Sequence, residues 1–166
     1  MFVLFNEMPG EAKVWAYQMN REITTPEQEV LAAAMKNFCA QWQAHGAPLR
    51  ASFDIVHGHF LILAVDESAS EASGCSIDGS TRVLKELGQQ MGVDFFDRSQ
   101  VAFLIDGRVK PYPVSALKGL FGNGTLNASL VTFNNLVGTK AEYLRHWKVE
   151  VSGSWLAKYL PKSTVA

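Results

Sequence analysis

Six consecutive apolar residues, "FLILAV" from Phe60 to Val65, constrain this chain more than any other feature. A strand with one wet face alternates apolar and polar residues. A strand that is apolar at every position sits centrally, with both faces covered. The preceding stretch from Ala51 turns back at Gly58, so Ala51 to Val65 reads as two strands of a short hairpin.

Around this centre the other elements follow from local pattern. "KVWAYQM", Lys13 to Met19, is aromatic and β-branched and reads as a first strand. Thr24-Thr25-Pro26-Glu27-Gln28 opens a helix, with Thr25 as cap, Pro26 at the first helical position and Gln28 closing a capping box. Leu31, Met35, Phe38 and Trp42 continue it at helical spacing until His45-Gly46-Ala47-Pro48 ends it. A second helix carries Ile77, Leu84, Leu87 and Met91 on one face. "QVAFLIDGRVKPY" is a strand, an Asp106-Gly107 turn and a second short strand. A short helix at Val114 to Phe121, a capped helix from Thr139 through Trp147, and helical turns in "SWLAKYL" complete the chain.

The order strand, helix, strand, strand, helix, strand matches the split βαβ core of ferredoxin-like domains. The expected fold is therefore α+β, a ferredoxin-like βαββαβ core with an added hairpin strand. Helices of the C-terminal third would cover the second sheet face. No linker, repeat or low-complexity segment divides residues 1–166, which read as a single domain. In this topology Asp66, the turn at Cys75, His45, Arg50 and the Asp106-Gly107-Arg108 turn gather at one edge. His57 and His59 lie at the other.

Charge excludes some partners. Fifteen basic and sixteen acidic residues give a net charge of −1, with no run of like sign. Neither nucleic acid nor an anionic membrane finds an evident docking surface. The N-terminus lacks the basic and long apolar regions of a signal peptide, and no run approaches the roughly 18 apolar residues of a membrane span. Two cysteines, Cys39 and Cys75, make no disulfide framework. The expectation is a cytoplasmic protein without a cofactor, whose partner is a small molecule, another protein or a second copy of itself.

The stretches "GCSID", "FFDR", "FNNLVGTK", "SWLAKYL" and "QAHGAPLRASF" resemble a family of short, uncharacterised bacterial proteins, over nearly the whole chain. Some members of that family carry the label "ABC-transporter ATPase". The resemblance brings no catalytic residue with it. A phosphate-binding loop needs G-x-x-x-x-G-K-[ST], whose glycine amides cradle phosphate while the lysine reaches the outer phosphates. The nearest letters, Gly138-Thr139-Lys140-Ala141, lack the first glycine and carry the wrong order.

Candidate site residues centre on "SGCSIDGS", Ser73 to Ser80. Cys75 stands where a helix begins, and a helix N-terminus favours a reactive thiolate. His45 or Arg50 would assist it. The alternative is a small residue packed in a turn. Ser76, Asp78, Ser80 and Arg50 form a candidate anion site on the same helix end, or the first three simply cap the helix. His57 and His59 make an H-x-H pair with no third ligand in view, so no metal site is assigned. Three readings of function stand side by side. The first is a binding or association domain without catalytic machinery. The second is a thiol-dependent enzyme or redox sensor centred on Cys75. The third is a binder of small molecules or anions at the Cys75–Ser80 helix end.

Overall fold

The computed structural model describes residues 1–162. In chain order the elements are β1 (Lys13–Gln18), α1 (Thr25–Gln41), β2 (Gln43–Ala44), β3 (Ala47–Pro48), β4 (Arg50–Val56), β5 (Phe60–Asp66) and α2 (Gly74–Met91). There follow β6 (Gln100–Ile105), β7 (Arg108–Pro113), α3 (Leu117–Gly122), β8 (Val131–Phe133), α4 (Lys140–His146) and β9 (Lys148–Glu150). Short 3-10 turns accompany them, and one of these, Trp155–Tyr159, follows β9. The fold is mixed α and β, with antiparallel pairing in every sheet.

The residues fall into two compact units. The first comprises Met1–Asp97 with Asn135–Arg145. Its sheet has the order β1-β5-β4, so the strand built on "FLILAV" is central. All seven residues of β5 are buried, which is why that run tolerates no polar alternation. Leu61, Leu63 and Val65 point to one face, with Met19, Leu31, Met35, Cys39, Trp42 and Leu84 in the same core. Burying a Leu side chain of this kind contributes roughly 1.5–3 kcal/mol. Asp54, Ile62 and Ala16 pair across the sheet and face the other way. At the free edge of β1 the Val14 N–H donates to the Gly138 carbonyl at 3.1 Å, and Asn135 Nδ2 donates to Gln18 Oε1 at 3.2 Å.

The second unit comprises Arg98–Asn134 and the described residues from His146 onward. Its sheet has the order β7-β6-β8-β9. Phe103, Leu117, Phe121, Leu126, Val151 and Leu156 form its core. Asp106 and Gly107, both at positive φ (52° and 76°), make the tight turn that joins β6 to β7.

Several expectations shift. The order β1-β5-β4 places the third main strand between the first and second, as a split βαβ core does. The fourth, β6, lies in the other sheet, where the local turn pairs it with β7 and Leu104 and Phe103 pair it with β8. The expected four-stranded sheet is therefore not formed, and the first unit's sheet holds three strands. Helix α1 begins one residue earlier than expected: Thr24 is the cap and Glu27 closes the box, with Glu27 N–H donating to Thr24 Oγ1 at 3.3 Å and Thr24 N–H to Glu27 Oε1 at 2.9 Å. Only that register puts a carboxylate three residues beyond the cap. His45 and Gly46 do not merely end the helix. They form the two-residue turn between β2 and β3, with φ of 51° and 78°.

Candidate functional site

Helix α2 starts at Gly74 because Ser73 caps it. Ser76 N–H donates to Ser73 Oγ at 3.1 Å, and Ser73 N–H donates to Ser76 Oγ at 2.8 Å. This reciprocal pair satisfies two donors that the helix leaves open. Cys75 is the second helical residue and is exposed, whereas Cys39 is fully buried in the core. Burial pushes the Cys39 thiol up to about 12.

The neighbouring hydroxyls are turned inward. Ser76 Oγ donates to the Ser73 carbonyl at 2.7 Å, and the Ser76 carbonyl accepts Trp42 Nε1–H at 2.9 Å. Ser80 is buried and donates to the Ile77 carbonyl at 2.6 Å. Asp78 is exposed.

Of the residues expected at this edge, Arg50 and Asp66 are together: Arg50 Nε donates to Asp66 Oδ2 at 3.2 Å across the paired ends of β4 and β5. The Ser68 N–H, and then Arg50, hold the Asp66 carboxyl below its usual range. Helix α2 packs on β2, so the Cys75 turn lies near the junction after α1. His45 is exposed at the β2–β3 turn. Among the described residues no hydrogen bond or ion pair joins Cys75 to His45 or Arg50. His57 and His59 flank Gly58 at the other end of the sheet, with His57 exposed and His59 buried. No group of three His, Cys, Asp or Glu side chains among the described residues is placed to hold a metal ion.

The other end of α2 is more concave. Gly92 ends the helix at φ 67°, and Val93 N–H returns to the Gly88 carbonyl at 2.9 Å. Gly88 is required there, since a Cβ would meet the Val93 carbonyl oxygen. Arg21 completes the cap from the loop after β1. Its guanidinium donates to the Met91 carbonyl at 2.8 Å and the Gly92 carbonyl at 3.2 Å, and pairs with Glu27 at 2.6 Å. A cation suits the negative end of a helix dipole. The same pairing, with the Thr24 amide, holds the Glu27 carboxyl down to about 2.

Beside this cap lies an open depression of about 450 Å³. Leu84, Gly88 and Val93 form its buried floor. Phe96 supplies an aromatic wall, braced edge-on by Tyr17 at 5.5 Å between ring centroids. Lys85 Nζ stands 6.0 Å from the Phe96 ring centre. Asn20 and Asp94 supply polar groups to its rim. Asn20 N–H donates to the Asp94 carbonyl at 3.1 Å, and Asp94 N–H donates to Asn20 Oδ1 at 2.9 Å. An Asx turn, Phe96 N–H to Asp94 Oδ1 at 2.7 Å, fixes the aromatic wall. The volume lies within the range of small-molecule sites, and an apolar floor with a few convergent polar groups is their usual make-up. Its polar lining groups are Asn20, Lys85, Gln89 and Asp94.

Sequence reasoning passed over Asn20, Lys85, Asp94 and Phe96. A signal was present in "MGVDFFDR", where a helix-ending glycine runs straight into an Asp-x-Phe turn. Helix α2 meets the loop after β1 only in three dimensions. No helix among the described residues is long and apolar enough to cross a membrane. Comparison of the chain with protein-family models, curated proteins and solved structures returned no match.

Proposed function

We propose that this chain is a binding domain, and that the depression beside the C-terminal end of α2 receives a small molecule with a flat apolar body and an anionic group. The observation that carries this reading is the pairing of Lys85 with the face of Phe96 over a floor of Leu84 and Val93. An aromatic wall accepts a planar body, an ammonium accepts an anion, and the Asn20 and Gln89 amides select hydrogen-bonding groups at the rim. Binding to the folded form raises its melting temperature. A panel of small aromatic carboxylates, each beside its neutral amide, tests the reading by thermal melting. Carboxylates should stabilise the chain, amides less so, and Lys85→Glu should abolish the difference. Equal stabilisation of wild type and Lys85→Glu would refute it.

A second reading, a thiol-dependent activity at Cys75, is favoured by one observation: Cys75 is exposed at the start of an 18-residue helix. Anion binding at that same end has less support. Ser76 and Ser80 spend their hydroxyls on helix carbonyls, and Ser73 already holds the Ser76 amide.

A further inference from the structure

The β4–β5 turn holds a histidine in an unusual setting. His59 is 1% exposed, and among the described residues neither Nδ1 nor Nε2 has a hydrogen-bond partner. A neutral imidazole must carry one N–H, so one donor is already buried without an acceptor. An imidazolium would bury two donors and a charge, which costs far more. Its ring lies 5.7 Å from that of Phe60, a side chain with no oxygen or nitrogen to accept its N–H.

This turn is tied to the loop of residues 19–24. Met19 N–H donates to the His59 carbonyl and Ile23 N–H to the Gly58 carbonyl, both at 2.8 Å. Contact is close: a Cβ on Gly58 would stand 2.9 Å from Gln28 Nε2 and 3.3 Å from the Ile23 carbonyl oxygen. The same loop then supplies Asn20 to the rim of the depression and Arg21 to the cap of α2. One short segment therefore joins the buried imidazole to the binding surface.

We propose that His59 is a pH-operated latch: protonation drives its ring from the core and loosens the 19–24 loop, and with it the Asn20 side of the depression. The consequence for ligand binding rests on the function proposed above, whereas the loop opening does not. The groups that act on His59 set the direction. Desolvation, the largest influence, holds the imidazole below its ordinary value; Glu22 in the loop opposes this, and His57 in the same turn reinforces it. Glu27 on α1 is committed to Arg21 and Thr24. Exposed Glu22 also offers a released imidazolium a counter-charge at the surface.

The sign follows from linkage. A base whose folded value lies below its unfolded value binds its proton preferentially in the open form. The closed loop therefore has full stability above about pH 6.5, loses it as pH falls from there to the folded value, and then levels off. The open population rises by at most about tenfold for each pH unit in that window.

Amide exchange protection of Met19 and Ile23, measured by NMR on the ligand-free full chain between pH 7.5 and 5, is the test. Protection at both should fall as pH falls, while that of Leu63 in central β5 stays flat. His59→Phe should remove the pH dependence, and His57→Gln should retain it. Unchanged protection at Met19 and Ile23 in the wild type would overturn the latch, as would an equal fall in His59→Phe. If His59→Phe fails to fold, the wild-type ring titration decides. A His59 ring that titrates without a matching loss of protection at those amides also overturns it. Because no ligand is present, failure here leaves the ligand reading standing, and success does not establish it.

Discussion

Trp42 Nε1–H donates to the Ser76 carbonyl at 2.9 Å inside the core, joining the residue that ends α1 to the first turn of α2. The indole also packs on Phe38 at 4.9 Å and Trp15 at 6.3 Å between ring centroids. One side chain thus fixes where the Cys75 turn sits relative to the sheet. Trp42→Phe keeps an aromatic ring but loses the donor and leaves a void. Chemical denaturation should show a loss of about 1–3 kcal/mol. An unchanged midpoint would mean that the bond contributes nothing to the placement of α2.

The two thiols should separate cleanly. Cys75 is exposed, and Cys39 is fully buried with its thiol pushed up to about 12. Alkylation followed by peptide mass spectrometry at neutral pH should label Cys75 in the native chain and Cys39 only on unfolding. Reactivity at Cys75 no greater than that of a free cysteine supports the binding reading. Alkylation much faster than that moves the thiol-dependent reading ahead of it.

Lys140, the lysine of the letters nearest to a phosphate-binding loop, points inward. Its Nζ donates to the Met8 carbonyl at 2.6 Å and the Asn6 carbonyl at 3.3 Å, and lies 5.4 Å from the Phe5 ring centre. It pins the N-terminal segment and is not placed to reach a phosphate. The purified chain should show no saturable, magnesium-dependent ATP hydrolysis. Lys140→Met should instead cost about 1–3 kcal/mol of stability, from charge-assisted bonds lost to buried carbonyls. Hydrolysis by the wild type that Lys140→Met abolishes without loss of stability would contradict this role.

What could be read from the sequence follows how local each signal is. The central place of β5 was legible because six apolar residues in a row state the burial of both faces. The Asp106-Gly107 turn and the start of α4, where Thr139 Oγ1 accepts Glu142 N–H at 3.1 Å, were legible because their chemistry spans four residues. The cap of α1 slipped by one residue because Thr24 and Thr25 are chemically equivalent and only Glu27 distinguishes them. Ser73 escaped notice as the cap of α2 among several serines able to do the same. The second partner of β6 could not be read, because β8 lies about 30 residues away and strand pairing at that range leaves no local pattern. The depression escaped for the same reason: Asn20 and the stretch from Leu84 to Phe96 come from two separate segments, which the Arg21 cap joins.

Backbone amide chemical-shift mapping with a small aromatic carboxylate tests the central claim most directly. The account predicts saturable shifts at Asn20, Lys85, Gln89, Asp94 and Phe96, which Gln89→Trp suppresses by filling the depression while the fold is retained. Saturable shifts centred on Gly74 and Cys75, or shifts that persist in Gln89→Trp, would contradict it.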